Sequence, residues 1–269
     1  MRVILFYIGD YPVRSYGLVV GISILLALGV CTYFAKQERK YEEHVTGMAL
    51  WAIFAAILGA RLWQVLFFEW GYYSQHLAEV FQIWNGGMSI QGGLVGGFVG
   101  GALYVWRNKI HFWEFADIMA PGIILGQGVG RIACLLNGDA FGSPTGTNFG
   151  LVYPEGTFAY QTYQSQPLWP AEVWEGQWDL VVLALLLIIK GNSKNLPTGY
   201  LFLWYNILYS FGRLMLEFLR GDTDRFGGLT AAQWTSIVTI ALAVLVMIYL
   251  KIRPAKTSEP RPEGEEVKA

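Results

Sequence analysis

Seven apolar stretches, separated by polar connections, constrain the fold of this chain more than any other feature. A helix crosses a bilayer in about 17 to 25 residues, and each stretch is long enough to do so. Only 14% of the residues are charged and 54% are hydrophobic, whereas soluble domains carry about 25% charged residues. The sequence therefore predicts an all-α integral membrane protein, a bundle of seven transmembrane helices. We expect these helices at approximately 13–35, 45–68, 84–106, 114–136, 170–189, 198–219 and 231–250.

The distribution of Lys and Arg predicts the orientation of the bundle. Positive residues cluster after the first, third, fifth and seventh stretches, whereas residues 69–83 and 140–169 contain neither Lys nor Arg. By the positive-inside rule the amino terminus lies outside and the carboxyl terminus in the cytoplasm. We expect one membrane domain, 1–253, with an outer-facing loop or arm at about 138–169. The charged, proline-containing residues 254–269 read as a disordered cytoplasmic tail.

This topology places polar side chains from six helices at one level near the outer surface. A guanidinium in the bilayer costs about 2.5 to 3.5 kcal/mol even on the lenient insertion scale, so each must meet an anion or water. Arg131 is the most constrained, because it follows the glycines of GQGVGR at 126–131. We expect those glycines to weaken the helix and to free backbone amides that bind an anion.

Several of these residues also allow purely structural interpretations. Arg61 could pair with backbone carbonyls or reach the lipid headgroups. Arg213, Glu217 and Arg220 follow i, i+4, i+7 spacing on one helix face, where Arg213 and Glu217 could form a simple ion pair. Two small-xxx-small files, at 92, 96 and 100 and at 93, 97 and 101, predict close helix packing. Asp117 reads as a capping or interfacial carboxylate on the cytoplasmic side.

The chemistry of the outer cluster points to a phosphate ester. Arginine binds phosphate through two parallel hydrogen bonds, and an abundant phosphate ester at this depth is a phospholipid headgroup. The two cysteines, Cys31 and Cys134, and three scattered histidines do not form a metal-binding pattern. We expect free thiols, no metal and no cofactor. Nothing in the sequence suggests a nucleic-acid partner.

Motifs along nearly the whole membrane part resemble one family, the bacterial phosphatidylglycerol:prolipoprotein diacylglyceryl transferases. The most specific are the GQGVGR run followed by NGDAFG at 137–142, and the helix RLMLEFLR at 213–220. Others are YGL at Tyr16, GARLWQVLFF at 59–68, WNGGMSIQGGLVGG at 84–97, PAEVWEG at 170–176 and GGLTAAQ at 227–233.

The resemblance implies an activity and its partners. The enzyme would move the diacylglyceryl group of phosphatidylglycerol onto the lipobox cysteine thiol in the signal peptide of a preprolipoprotein. It would work without a cofactor in the bacterial cytoplasmic (inner) membrane, with the site toward the outer face. The resemblance implies catalytic roles for Arg131, Arg213, Tyr16, Gln91 and Asp139. It implies substrate binding by Arg131, Asn137, Gly142, Glu217, Arg220, Arg61 and Cys134.

Three positions depart from the family pattern. Gln91 stands where the family has a histidine, Cys134 replaces the asparagine of GRxGN, and Asp139 replaces the glutamate of NGE. Glutamine is not a base, so either the histidine serves mainly in hydrogen bonding, which an amide can also do, or another group such as Asp139 or His76 acts instead. Cys134 is a small core residue or a reactive thiol beside Arg131. The alternative function is a divergent, non-catalytic paralogue that binds phosphatidylglycerol or the lipoprotein substrate.

Overall fold

All seven predicted stretches form helices in the computed structural model, which describes residues 1–83, 86–193 and 196–252. The long helices are α1 (Ser15–Glu38), α2 (Glu42–Trp63), α4 (Ile90–Arg107), α5 (Phe112–Asn137), α7 (Ala171–Asn192), α8 (Tyr200–Leu216) and α9 (Ala231–Ile252). Short elements between them are β1 (Ile4–Ile8), β2 (Tyr11–Arg14), α3 (Trp70–Tyr73), α6 (Phe158–Tyr163), β3 (Arg225–Phe226) and β4 (Leu229–Thr230). The predicted start of the third stretch at 84–85 and the predicted tail at 254–269 lie outside the described residues.

Four helices are long and apolar enough to cross a membrane. They are α1, α2 together with the π-helical turn Gln64–Phe68 that continues it, α5 and α9. The other three long helices are the glycine-rich α4, α7 with its acidic residues, and α8 with 17 residues. Length and composition alone therefore support four spans among the described residues.

The structure corrects three predictions about helix boundaries and continuity. Helix α4 begins at Ile90 rather than at 84, because Gly86 and Gly87 adopt left-handed backbone at φ +87° and +69°. Helix α8 ends at Leu216, so the predicted helix to 219 closes with a 3-10 turn instead. The expected weakening at 126–131 is wrong, since α5 continues without a break to Asn137. Contacts with neighbouring helices override the low helix propensity of those glycines.

Helices α2 and α4 pack through the predicted glycine files, and the two files behave differently. A Cβ on Gly92 would lie 2.3 Å from the Gly59 carbonyl oxygen, and one on Gly96 would lie 2.3 Å from that of Ala55. The second file is looser, since a Cβ on Gly93 would meet the Ala60 Cβ at 3.7 Å. The first file therefore sets the distance between the helices.

Helix α5 lies at the centre and packs on α1, α7 and α8. Against α1, a Cβ on Gly122 would lie 2.5 Å from the Ala27 carbonyl oxygen and still closer to the Cys31 sulfur. Cys31 and Cys134 are both free thiols, as predicted. Against α7 and α8, α5 contributes Ala120 and Ile124 to an apolar core completed by Val182, Leu186, Leu201 and Tyr205.

Asp117, near the start of α5, caps the start of α8. Its carboxylate accepts hydrogen bonds from the backbone amides of Gly199 at 2.6 Å and Phe202 at 2.8 Å, which confirms the predicted capping role. Two ion pairs tie neighbouring elements here, Lys40 with Glu114 at 3.3 Å and Lys190 with Glu38. Each of these two pairs neutralises its own charges.

The segment 139–169, here called the cap, has a small apolar core of its own. Phe141, Tyr153, Ala159 and Leu168 are all buried in it, with α6 in its second half. The cap is fixed to the segment after α8 by an antiparallel bridge between Gly142 and Arg220. The Ser143 amide donates to the Leu219 carbonyl at 2.8 Å, and the Gly221 amide donates to the Phe141 carbonyl at 3.1 Å. The long loop is therefore an ordered layer that covers one end of the bundle.

Candidate active site

Three arginines from separate parts of the chain surround one carboxylate, that of Glu175 on α7. Arg131 Nη1 on α5 lies 2.8 Å from Glu175 Oε2, and Arg213 Nη1 on α8 forms an ion pair with Glu175 Oε1. Arg220 Nη1, beyond α8, lies 3.6 Å from the same oxygen. Glu175 is only 3% exposed, so the interaction is barely screened by solvent. We call these four residues the arginine cluster.

Close backbone packing of α5 on α7 brings Arg131 to Glu175. A Cβ on Gly128 would lie 3.4 Å from the Gly176 carbonyl oxygen, and a Cβ on Gly176 would lie 3.2 Å from the Gly128 carbonyl oxygen and from the Arg131 Cβ. These glycines therefore let the two helices approach where the ion pair forms. Gly128 thus serves helix packing, in place of the anion-binding turn predicted from the sequence.

Helix α8 is held beside α7 in a similar way. The Trp178 indole lies over Gly212, at a spacing that leaves no room for a Cβ, and its Nε1 donates to the Leu208 carbonyl at 3.0 Å. This contact places Arg213, the next residue, against Glu175. Aromatic and glycine packing thus determines the position of the second guanidinium.

Arg213 and Glu217 form the predicted i, i+4 ion pair, with Nη2 and Oε2 2.8 Å apart. Arg220 does not continue their helix face, because the backbone becomes extended there. Its side chain still reaches Glu175, and it also pairs with Asp222 at 2.7 Å. The prediction of one shared helix face is therefore wrong for Arg220. The Arg220 side chain nevertheless lies in the same cluster as those of Arg131 and Arg213, which agrees with the predicted convergence of polar side chains.

A second group of predicted residues lies near Arg131, around the end of α5. The Asp139 carboxylate receives hydrogen bonds from Asn137 and from the Cys134 thiol, and burial raises the pKa of Asp139. Its Oδ1 is buried and, among the described residues, has no hydrogen-bond partner. Tyr16, at the start of α1, interacts electrostatically with Cys134, Asp139 and Arg131. Tyr16, Cys134, Asn137 and Asp139 are thus linked to one another by these interactions, and Tyr16 also interacts with Arg131.

Arg61 makes a different set of contacts from the other predicted arginines. Its guanidinium donates to four backbone carbonyls at 2.6 to 3.0 Å, and the residue is only 5% exposed. The acceptors are Glu79, Val80, Gly86 and Gly87. Of the two interpretations left open by the sequence, these contacts favour pairing with carbonyls, which fixes the segment before α4 to α2.

Gln91 and Gly142, two further predicted site residues, make contacts of different kinds. The Ser89 hydroxyl donates to the Gln91 amide oxygen at 2.7 Å, and the Gln91 side chain is otherwise exposed. Gly142 forms the bridge with Arg220, and a Cβ there would lie 2.2 Å from the Trp169 carbonyl oxygen. Gly142 thus serves to fix the cap beside Arg220.

Helix α7 supplies three buried acidic residues, none of which was among the predicted site residues. Glu172, Glu175 and Asp179 are each no more than 3% exposed. Glu172 accepts a hydrogen bond from the Tyr153 hydroxyl of the cap, and burial, followed by this carboxylate, raises the pKa of Tyr153. Asp179 lies one turn after Glu175. These three carboxylates follow i, i+3, i+7 spacing inside an apolar stretch. This spacing could have identified them as a group, because such residues share a helix face.

Comparisons with known proteins identify the family of this chain. The family model described as Prolipoprotein diacylglyceryl transferase matches residues 3–249. Relatives named phosphatidylglycerol--prolipoprotein diacylglyceryl transferase include one from Acaryochloris marina, 35% identical over 91% of this chain and 89% of its own. One from Trichormus variabilis is 33% identical over 98% and 95%, and one from Streptococcus pneumoniae is 35% identical over 90% and 91%. The chain therefore belongs to the prolipoprotein diacylglyceryl transferase family.

Proposed function

We propose that this chain transfers the diacylglyceryl group of phosphatidylglycerol to the lipobox cysteine of a preprolipoprotein. The cysteine sulfur bonds to the glyceryl carbon, the bond from that carbon to the phosphate oxygen breaks, and glycerol phosphate leaves. The thiol proton passes to a base, so the products are a thioether and a phosphate monoester. The names of the relatives identify both substrates, phosphatidylglycerol and a prolipoprotein.

The arginine cluster is the observation that carries this proposal. The departing phosphate gains negative charge as its bond to carbon breaks, and fixed positive groups stabilise that charge most strongly where water is scarce. Arg131 and Arg213 have side chains 20% and 16% exposed, so both are partly open to an incoming headgroup. Arg220 adds a third positive charge at the edge of the cap.

Asp139 is the best-supported base for the thiol in this chain, since Gln91 cannot accept a proton. Burial raises the pKa of Asp139, and its Oδ1 is unpartnered in the described part of the chain. A carboxylate of raised pKa is a stronger base toward a thiol whose ordinary pKa is about 8.5. Tyr16 and Asn137 then serve to orient the substrates by hydrogen bonding.

The full membrane arrangement is part of the proposal. All seven long helices cross the bacterial cytoplasmic membrane, with the amino terminus outside, and the cap and arginine cluster lie at the outer face. The seven helices coincide with the seven apolar stretches. The Lys40–Glu114 and Lys190–Glu38 pairs lie where this topology puts the cytoplasmic side, at the opposite ends of their helices from the arginine cluster.

The test combines growth and chemistry. The gene should restore growth to a transferase-deficient bacterium, and the purified protein should form the thioether on a lipobox peptide in phosphatidylglycerol micelles. Arg131→Ala should lower the transfer rate by about 10² to 10³, the usual loss when one group that stabilises developing negative charge is removed. The exposed Arg107 at the end of α4 provides the matched control, Arg107→Ala, which should retain full activity.

The non-catalytic alternative predicts a different result. A folded, inserted protein that binds phosphatidylglycerol but fails both complementation and the thioether assay would reject the transferase and leave a lipid-binding paralogue. The replacement of the family histidine by Gln91 is the observation that favours this alternative.

A further inference from the structure

Glu175 occupies the position at which the three arginines would hold a phosphate. Its Oε2 faces Arg131 at 2.8 Å, and its Oε1 faces Arg213 and Arg220. A carboxylate and a phosphate use the same guanidinium donors, because both present oxygen pairs that match the planar fork of arginine. The anion-binding groups of the proposed site are therefore already bound to an anion that belongs to the protein.

The positive charges of the three arginines are matched by carboxylates without any lipid. In the described part of the chain, the cluster arginines pair with three carboxylates, those of Glu175, Glu217 and Asp222. A phosphodiester adds one more negative charge to this neutral set. In a site of low effective dielectric, two anions cannot share the same donors without strong repulsion. The incoming phosphate must therefore compete with the Glu175 carboxylate.

Arg131 is the arginine at which this competition begins. It has the most exposed side chain of the cluster, and Glu175 is its ion-pair partner among the described residues. Arg213 and Arg220 each have a second acidic partner, Glu217 and Asp222 respectively. Glycine contacts fix the α5 and α7 backbones. The replacement of the Glu175 carboxylate by phosphate at Arg131 therefore requires rotation of side chains.

We propose that Glu175 is a resident counter-ion, which holds the three arginines in place between turnovers and is displaced from Arg131 by the phosphate of the lipid. This inference rests on the proposed function, since it assigns that phosphate to the arginine cluster. Glu175 is thus a positioning residue. By returning to Arg131, its carboxylate also helps to expel glycerol phosphate after the transfer.

The test measures phosphate affinity in the purified, full-length protein with Glu175→Gln. Inorganic phosphate and glycerol phosphate are titrated while tryptophan fluorescence or thermal unfolding is followed. Loss of the competing carboxylate should lower the Kd for both anions at least about tenfold. The transfer assay should show a lower KM for phosphatidylglycerol together with a lower kcat and stronger inhibition by glycerol phosphate. A purely structural role for Glu175 predicts weaker binding and a higher KM.

A matched control is Glu114→Gln, which removes a salt-bridged carboxylate at the opposite end of the bundle and should leave anion affinity unchanged. If Glu175→Gln is unstable in chloride buffer, phosphate should restore its stability by taking the place of the carboxylate. Failure to fold even in saturating phosphate, or unchanged or weaker phosphate binding, overturns the inference. If the wild-type protein performs no transfer but Glu175→Gln gains phosphate affinity, the counter-ion role stands and the proposed function fails.

Discussion

At the scale of single residues, the arginines of the apolar stretches fall into two groups that their sequence positions do not separate. Arg61 and Arg131 both occur late in apolar stretches, and the insertion cost predicts a partner for each. The structure gives Arg61 four carbonyls and gives Arg131 a carboxylate. The backbone carbonyls hold Arg61 in a structural role. The carboxylate bound to Arg131 is proposed to be displaceable, so that this guanidinium can bind another anion.

This difference yields a prediction for Arg61. Arg61→Ala should lower the free energy of unfolding by more than about 2 kcal/mol, because buried carbonyls lose their donors. Arg61→Lys should restore only part of this stability, since an ammonium cannot reproduce a planar fork with five donors. Thermal unfolding in detergent measures the loss, with exposed Arg225→Ala as the control. If the Arg61→Lys protein folds and its Kd for phosphate rises as much as that of Arg131→Lys, Arg61 instead takes part in headgroup binding.

The sequence indicated Arg131, Arg213 and Glu217. The spacing of acidic residues on α7 was a signal for Glu175, but the sequence could not show that Glu175 is the hub of the cluster. A charge in an apolar stretch is visible along one helix, whereas the hub of the cluster depends on which helices are neighbours. The contact between Gly128 and Gly176 makes α5 and α7 neighbours, and nothing in either stretch specifies the other. Asp139 was identified from its motif, and its burial required the structure.

At the scale of elements, glycine contacts determine which helices touch and how closely. They do so between α2 and α4, between α1 and α5 and between α5 and α7. The sequence predicted the files on α4 from their spacing. It did not show that a Cβ on the first file would clash with its neighbours whereas a Cβ on the second would make ordinary contacts at 3.4 to 3.8 Å, because that depends on helix rotation.

The two files on α4 therefore predict opposite responses to the same substitution. Gly96→Ala would place a Cβ 2.3 Å from the Ala55 carbonyl oxygen and should destabilise the protein by about 1 to 3 kcal/mol through overpacking. Gly93→Ala would meet its nearest atom at 3.7 Å and should be neutral or stabilising by about 0.5 to 1 kcal/mol. Thermal unfolding of both variants checks the contrast. Equal stabilities would mean that α2 and α4 do not pack as described.

At the scale of the whole molecule, the seven long helices could be predicted because each lies in an apolar stretch between polar connections. The predicted positions of the helix ends were less accurate, since the start of α4 and the end of α8 depend on local backbone conformation. The amino-terminal hairpin of β1 and β2 was not predicted. It lies before the first span, where membrane length gives no constraint.

The proposed topology makes a prediction of its own. Single cysteines introduced at Ser74, between α2 and α4, and at Asn108, after α4, should lie on opposite sides of the membrane. Both positions are exposed. A membrane-impermeant maleimide applied to spheroplasts should label Ser74→Cys and should label Asn108→Cys only after lysis. The parent chain with Cys31 and Cys134 provides the background, and the reverse pattern would invert the bundle.

The bridge between Gly142 and Arg220 has a mechanical consequence. Arg220 holds the cap through its backbone and Glu175 through its side chain. A movement of the cap would therefore shift the backbone of the residue whose side chain contacts Glu175. The cap and the arginine cluster are in this way connected through one residue.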